Sequence, residues 1–166
     1  MITTQSIRPR FSARRAFTLI ELVAVMVVLA ILAGVAIPKY FDYADRAKTS
    51  ATEGTLGGVR SGLASFLSDS AISGTAAYPT AAQLTTVGTV MQQAIPANPY
   101  NGLSTVASIG SLDSATNRTV ANADTIGWNY YVDNSASPPV AIFWANSSTA
   151  TTKLDGSGNA ITANNL

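Results

Sequence analysis

The sequence predicts an α+β fold: a long N-terminal α-helix, its first half transmembrane, packed on a small C-terminal antiparallel β-sheet. Three observations carry this. Residues 17–37 form an almost unbroken apolar run, with Thr18 and Glu21 its clearly polar members. Beyond Pro38 the apolar residues keep helical spacing as far as Leu67. Near the C-terminus, Ile126-Gly127-Trp128-Asn129-Tyr130-Tyr131-Val132 and Val140-Ala141-Ile142-Phe143-Trp144-Ala145 read as two strands joined by a turn.

Composition narrows the chemistry. The 166 residues include no cysteine and no histidine, so disulfides, thiolate chemistry and the commonest metal ligands are excluded. The formal net charge of +1 hides an asymmetry. Arg8, Arg10, Arg14 and Arg15 precede the apolar run with no acid among them. From residue 17 onward, six basic and nine acidic residues leave a formal −3. No nucleic-acid partner is expected of such a body, because that binding is driven by phosphate neutralisation.

Four segments follow. Residues 1–16 are a basic leader, cytoplasmic by the positive-inside rule. Residues 17–38 are a membrane helix. The 21 residues of the run (17–37) would span about 32 Å at 1.5 Å per residue, against a hydrocarbon core of about 30 Å. A secretory signal would be shorter and end in a small-residue cleavage site, as Ala33-Gly34-Val35-Ala36 superficially does. Pro38 removes one backbone hydrogen bond, so a kink or local unwinding is expected there.

Residues 39–70 are the amphipathic second half of the helix. Its apolar face is expected at Tyr40, Tyr43 or Ala44, Ala47, Ala51, Leu56, Val59, Leu63 and Phe66. Gly54, Gly57, Gly58 and Gly62 serve close packing on the sheet or, in a second reading, a groove for a neighbouring helix. Residues 71–166 form a small globular head with β-hairpins. Residues 68–78 read as loop, and Thr80-Ala81-Ala82-Gln83 as a capping box opening a short helix near Ala81. Residues 95–102 are a turn-rich loop, 103–109 a weak strand and 111–125 an exposed loop. Residues 134–139 turn the main hairpin, and residues 151–154 and 160–162 form another around Asp155-Gly156-Ser157-Gly158-Asn159.

Glu21 is the residue that needs a reason. An acid within a membrane helix is costly and points to function, with interfacial snorkelling or protonation as the bland alternative. No lysine or arginine lies in the run. A cut just before Phe17 would create an α-amino group four residues from Glu21. In a bundle of identical helices that amine would meet the Glu21 of an axially shifted neighbour.

Arg15-Ala16-Phe17-Thr18-Leu19-Ile20-Glu21-Leu22 followed by the apolar run resembles the class III signal of type IV prepilins and type II secretion pseudopilins. The resemblance implies cleavage between Ala16 and Phe17 by a membrane prepilin peptidase, N-methylation of Phe17, and subunit docking through Phe17 and Glu21. Ala16 stands where the family usually has glycine. The loop Pro96-Ala97-Asn98-Pro99-Tyr100-Asn101-Gly102 and the strand Gly127-Trp128-Asn129-Tyr130-Tyr131 look like the C-terminal region of major pseudopilins. The absence of cysteine leans the same way.

The remaining motifs are weaker. Trp128, Tyr130, Tyr131, Phe143 and Trp144 read as core, one alternating set packing on the helix, with a sugar-stacking platform as the alternative. Asp155, Ser157 and Asn159 offer oxygen ligands at alternate positions, a candidate calcium loop such as the major pseudopilins use, or a plain glycine-rich turn. Asn117-Arg118-Thr119 and Asn146-Ser147-Ser148 fit the glycosylation pattern but carry little weight in a bacterial-type protein. No catalytic constellation is visible, so no enzyme is expected, and no cofactor beyond the candidate calcium. The expected role is a structural subunit of a type IV pilus-like filament, foremost a type II secretion pseudopilin. Its implied partners are identical and related subunits, the prepilin peptidase and methyltransferase, a platform protein with its assembly ATPase, and the inner membrane. The N-terminus would be cytoplasmic and the head periplasmic, in a filament that ends periplasmic or extracellular. The alternatives are a major or minor type IV pilin, or a signal-anchored periplasmic binding domain with the aromatic sheet as its ligand face.

Overall fold

The computed structural model describes residues 17–166. The basic leader lies outside the described residues. Two compact units are distinguished, Met1–Tyr40 and Phe41–Leu166. One helix, α1 (Leu19–Ile72), supplies residues to both.

In the first unit every described residue is exposed. Among the described residues α1 is the one helix long and apolar enough to cross a membrane, judged by length and composition. A helix that is apolar on all sides must find a surrounding other than water. Pro38 lies inside α1, and the backbone around it stays helical rather than unwinding.

In the second unit α1 buries Thr49, Thr52, Leu56, Val59 and Leu63. Their spacing of three and four residues lines one face. The expected stripe is therefore right from Leu56 onward and wrong before it. Tyr40, Tyr43, Ala47 and Ala51 are exposed and Ala44 is half-buried. Two threonines take the buried positions because their hydroxyls are satisfied within the helix. Thr49 Oγ1 donates to the Asp45 carbonyl and Thr52 Oγ1 to the Lys48 carbonyl, each at 2.9 Å. Helix α1 also continues past the expected loop start at Ser68, to Ile72. Gly74, at φ +96°, ends it. The Gly74 N–H donates to Ala71 O and the Thr75 N–H to Ser70 O, the paired bonds of a left-handed helix stop.

The short helix α2 (Ala81–Thr85) carries the anticipated capping box between Thr80 and Gln83. Strand β1 (Val106–Ser108), helix α3 (Leu112–Thr116), strand β2 (Trp128–Asp133) and strand β3 (Val140–Ala145) follow. The sheet order is β1-β2-β3. Strands β2 and β3 form the expected antiparallel hairpin, with Tyr130 opposite Phe143. The expected all-antiparallel sheet is corrected at its edge: β1 runs parallel to β2, with Val106 opposite Trp128. A parallel pair needs a crossover. Residues 109–127 supply it, and α3 within them replaces part of the expected exposed loop. Strands β4 (Ala150–Leu154) and β5 (Ala160–Thr162) form a separate two-stranded hairpin.

The core lies between α1 and the sheet. Leu56, Val59 and Leu63 pack with Leu84, Ile95, Trp128, Tyr130, Phe143 and Ala145. The Trp128 and Phe143 rings stack with centroids 5.4 Å apart. On the opposite face Tyr131 and Trp144 pack with Ala115 of α3. Both alternating sets of aromatic residues are thus buried, where one set was expected to be. The polar ends are placed too: Trp128 Nε1 donates to Pro96 O, Trp144 Nε1 to Thr119 O, and Tyr130 Oη to Pro79 O. Burial pushes the Tyr130 hydroxyl pKa up, keeping it a donor.

Asparagines hold the irregular segments. Asn98 Nδ2 donates to Gly127 O at 2.8 Å, and Asn101 Nδ2 to Ile126 O at 2.8 Å. Fully buried Asn146 donates to Ala121 O and Ile126 O and accepts from Ala121 N and Asn129 Nδ2. That burial removes Asn146 as a glycosylation acceptor. A Cβ at Gly127 would collide with Leu103 O, a backbone atom that cannot swing aside. Gly62 is the one glycine of its group in tight contact, but against Met91 and Val90 rather than the sheet; Gly54 and Gly57 face open space.

Asn146→Ala is expected to cost about 3 kcal/mol or more, since it leaves several buried backbone groups without partners. Gly127→Ala is expected to cost at least the ~1–3 kcal/mol typical of overpacking. Thermal unfolding in detergent, followed by near-ultraviolet circular dichroism of Trp128 and Trp144, checks both. A melting temperature within a degree of the parent's for either variant would contradict this account of the head.

Candidate functional site

The start of α1 is built from a short local code. Thr18 precedes the helix and Glu21 sits three residues on, a pattern that closes a helix N-terminus reciprocally. The Glu21 N–H donates to Thr18 Oγ1 at 3.3 Å. In return Glu21 Oε2 accepts from the Thr18 N–H at 2.8 Å and from Thr18 Oγ1 at 2.9 Å. The negative side chain also lies at the positive end of the helix dipole. Glu21 therefore has a partner within its own chain that is a neutral residue, not a cation. The sequence signal for it is the spacing shared with Thr80 and Gln83.

Both bonds use Oε2, and among the described residues none is made by Oε1. Phe17 is 82% exposed. Phe17, Glu21, Leu22, Val25 and Met26 line one open hollow of about 370 Å³. Phe17 and Glu21 thus line one depression, with Glu21 the single acid among its lining residues. Their proposed cleavage neighbour, Ala16, lies outside the described residues. Pro38 is far along the same helix, immediately after its apolar run.

Residues 11–37 match the model of the prokaryotic N-terminal methylation motif. The segment is a class III signal of the type IV pilin and pseudopilin kind. The match covers the basic residues nearest the run, Phe17, Glu21 and the apolar helix, and stops before Pro38. The match spans 27 of the 166 residues and characterises that N-terminal segment alone. Comparison with curated proteins finds no match, and neither does comparison with solved structures.

The candidate calcium residues lie apart from this, in the β4–β5 turn. Asp155 Oδ1 accepts from the backbone N–H groups of Ser157 and Asn159, both at 2.8 Å. Gly158, at φ +84°, completes the turn. The hydrogen bond from Asn159, then that from Ser157, holds the Asp155 carboxyl below its ordinary pKa. Among the described residues no three acidic side chains gather as a metal cluster. The five aromatic rings offer no open stacking face, since each is less than one-tenth exposed.

Thr18→Ala is expected to weaken the first turn of α1 by about 1 kcal/mol. Glu21→Gln preserves the reciprocal cap, because glutamine serves at that position as well. Amide exchange at Leu22 in detergent micelles should accelerate several-fold in the first variant and stay near the parent's in the second. A carboxyl whose pKa is lowered in the folded state, as at Asp155, stabilises the fold while ionised and loses that contribution on protonation. Asp155→Asn should lower the melting temperature at pH 7, and the difference should fade as pH drops below about 4. A difference that persists at pH 2 would rule out the charge as its source.

Proposed function

We propose that this chain is a structural subunit of a type IV pilus-like filament, of the type II secretion pseudopilin kind. The observation that carries the reading is the methylation motif on a helix whose described residues as far as Tyr40 are all exposed and include one carboxylate, Glu21. A prepilin peptidase cuts between Ala16 and Phe17, and the new Phe17 amine is methylated. The subunit waits in the inner membrane, leader side cytoplasmic and head periplasmic. A platform protein and its ATPase then draw it into the filament.

In the filament, helix-to-helix packing of residues 17–37 replaces lipid contact. The Phe17 amine of one subunit meets Glu21 Oε1 of the next, an oxygen that the cap leaves available. A charge-assisted bond in an apolar surrounding is stronger than a neutral one and directional. It sets polarity and register. This role needs no cofactor and no catalytic group. The absence of cysteine from the head leans towards the secretion subunit over the adhesive or motility pilins. A lone membrane-anchored binding domain has less support, because its aromatic sheet has no open face.

Mass spectrometry of the membrane-purified protein is expected to give an N-terminus at Phe17 with one added methyl group. An intact leader, or a cut near Ala36, would refute the filament reading. Glu21→Gln is expected to be inserted and cleaved normally yet fail to enter filaments. Because that variant keeps its helix cap, filaments assembled from it at the parent's level would refute docking through the charge.

A further inference from the structure

Between Glu21 and Lys39, α1 carries no charged residue, and its large apolar side chains are all exposed, from Leu22 at 58% to Ile37 at 56%. The run is bounded at its far end by exposed Lys39 and by Tyr40, 71% exposed. These are residue types of the water–lipid boundary: a tyrosine ring with one apolar and one polar end, and an ammonium on a flexible stem. Glu21 and Tyr40 stand about 28 Å apart along the helix, at 1.5 Å for each residue. A hydrocarbon core measures about 30 Å.

We propose that Lys39 and Tyr40 form a lipid-headgroup collar that fixes the depth of the helix and places Glu21 at the opposite boundary. The inference rests on the reading that this helix resides in a bilayer before assembly. Two registers compete. If residues 17–37 were simply centred, Val27 would be deepest and Glu21 would lie about 6 Å inside the hydrocarbon. With the collar, the deepest position falls at Ala30 or Ile31, and Glu21 and Tyr40 each lie about 14 Å from the midplane. Residues 17–20 then occupy the interfacial layer, roughly 5–7 Å thick on each side. Phe17 and Thr18 lie in that hydrated layer, and Glu21, capped by Thr18, lies at its inner edge. The carboxylate is thus open to an incoming amine while the subunit is still held in lipid, and it is dehydrated only on leaving.

The chain has no cysteine, so single cysteines can be placed at each position from Val23 to Ile37 and carry a nitroxide label. The full chain is reconstituted in vesicles of phosphatidylcholine and phosphatidylglycerol. Depth is read from the relative relaxation by oxygen and by a water-soluble nickel chelate. The expected maximum of the oxygen-to-nickel ratio lies at Ala30 or Ile31, three to four residues beyond Val27. A maximum at Val27 overturns the collar while leaving the membrane reading intact. Nickel access at every position overturns both. As a second measurement, Tyr40→Trp is expected to be quenched more by lipids brominated near the headgroup than by lipids brominated near the chain end. Equal or no quenching overturns the collar.

Discussion

The contact of Leu56, Val59 and Leu63 with Trp128, Tyr130 and Phe143 is the constraint on which the head depends. Each of those aliphatic side chains contributes about 1.5–3 kcal/mol on burial. Together they fix which face of α1 turns inward, and Thr49 and Thr52 follow on the same face. The first part of α1 has no such partner. Its side chains are as apolar as those of the core, yet exposed on every side. One helix therefore carries two patterns suited to two surroundings. One half has a narrow stripe matched to a sheet, and the other an unbroken apolar surface that water would penalise.

A helix on one face leaves the other side of a three-stranded sheet uncovered. The crossover between β1 and β2 covers it. Helix α3 brings Ala115 onto Tyr131 and Trp144, so β2 is buried on both faces through Tyr131. The price of using an irregular crossover as a layer is a set of backbone groups without ladder partners. Asn98, Asn101 and Asn146 supply those partners, each amide standing in for a neighbouring strand. The asparagines are thus the complement of the aromatics. The rings fill volume, and the amides satisfy the segments that hold the rings in place.

Much of this was legible, and the failures have common causes. The apolar run, the helix from Leu56 onward, the Thr80 capping box and both hairpins are local patterns, and local patterns survive folding. The stripe before Leu56 was misplaced because tyrosine and alanine outrank threonine in any apolar count. A threonine that bonds its own helix backbone is nevertheless cheap to bury. The parallel edge strand and the role of α3 were hidden because they depend on pairing across residues 109–127, which no period reveals. At the N-terminus, the Thr18–Glu21 spacing carries the cap, but an acid in an apolar run points first to a cation, whereas its nearest partners are a neutral hydroxyl and an amide.

That partner sharpens the question of why the residue is an acid at all. A glutamine at the third helical position closes the same reciprocal cap. The favourable dipole interaction of a carboxylate there is worth only about 0.3–1 kcal/mol at an exposed helix end. Holding a carboxylate next to lipid costs more than that unless it stays at the boundary or meets a cation. The cap accounts for the position of the side chain and for one of its two oxygens. It does not account for the charge. What the charge adds over glutamine is an affinity for a cation, and on that difference rests the proposal that a Phe17 amine meets it; Phe17 and Glu21 line the same hollow.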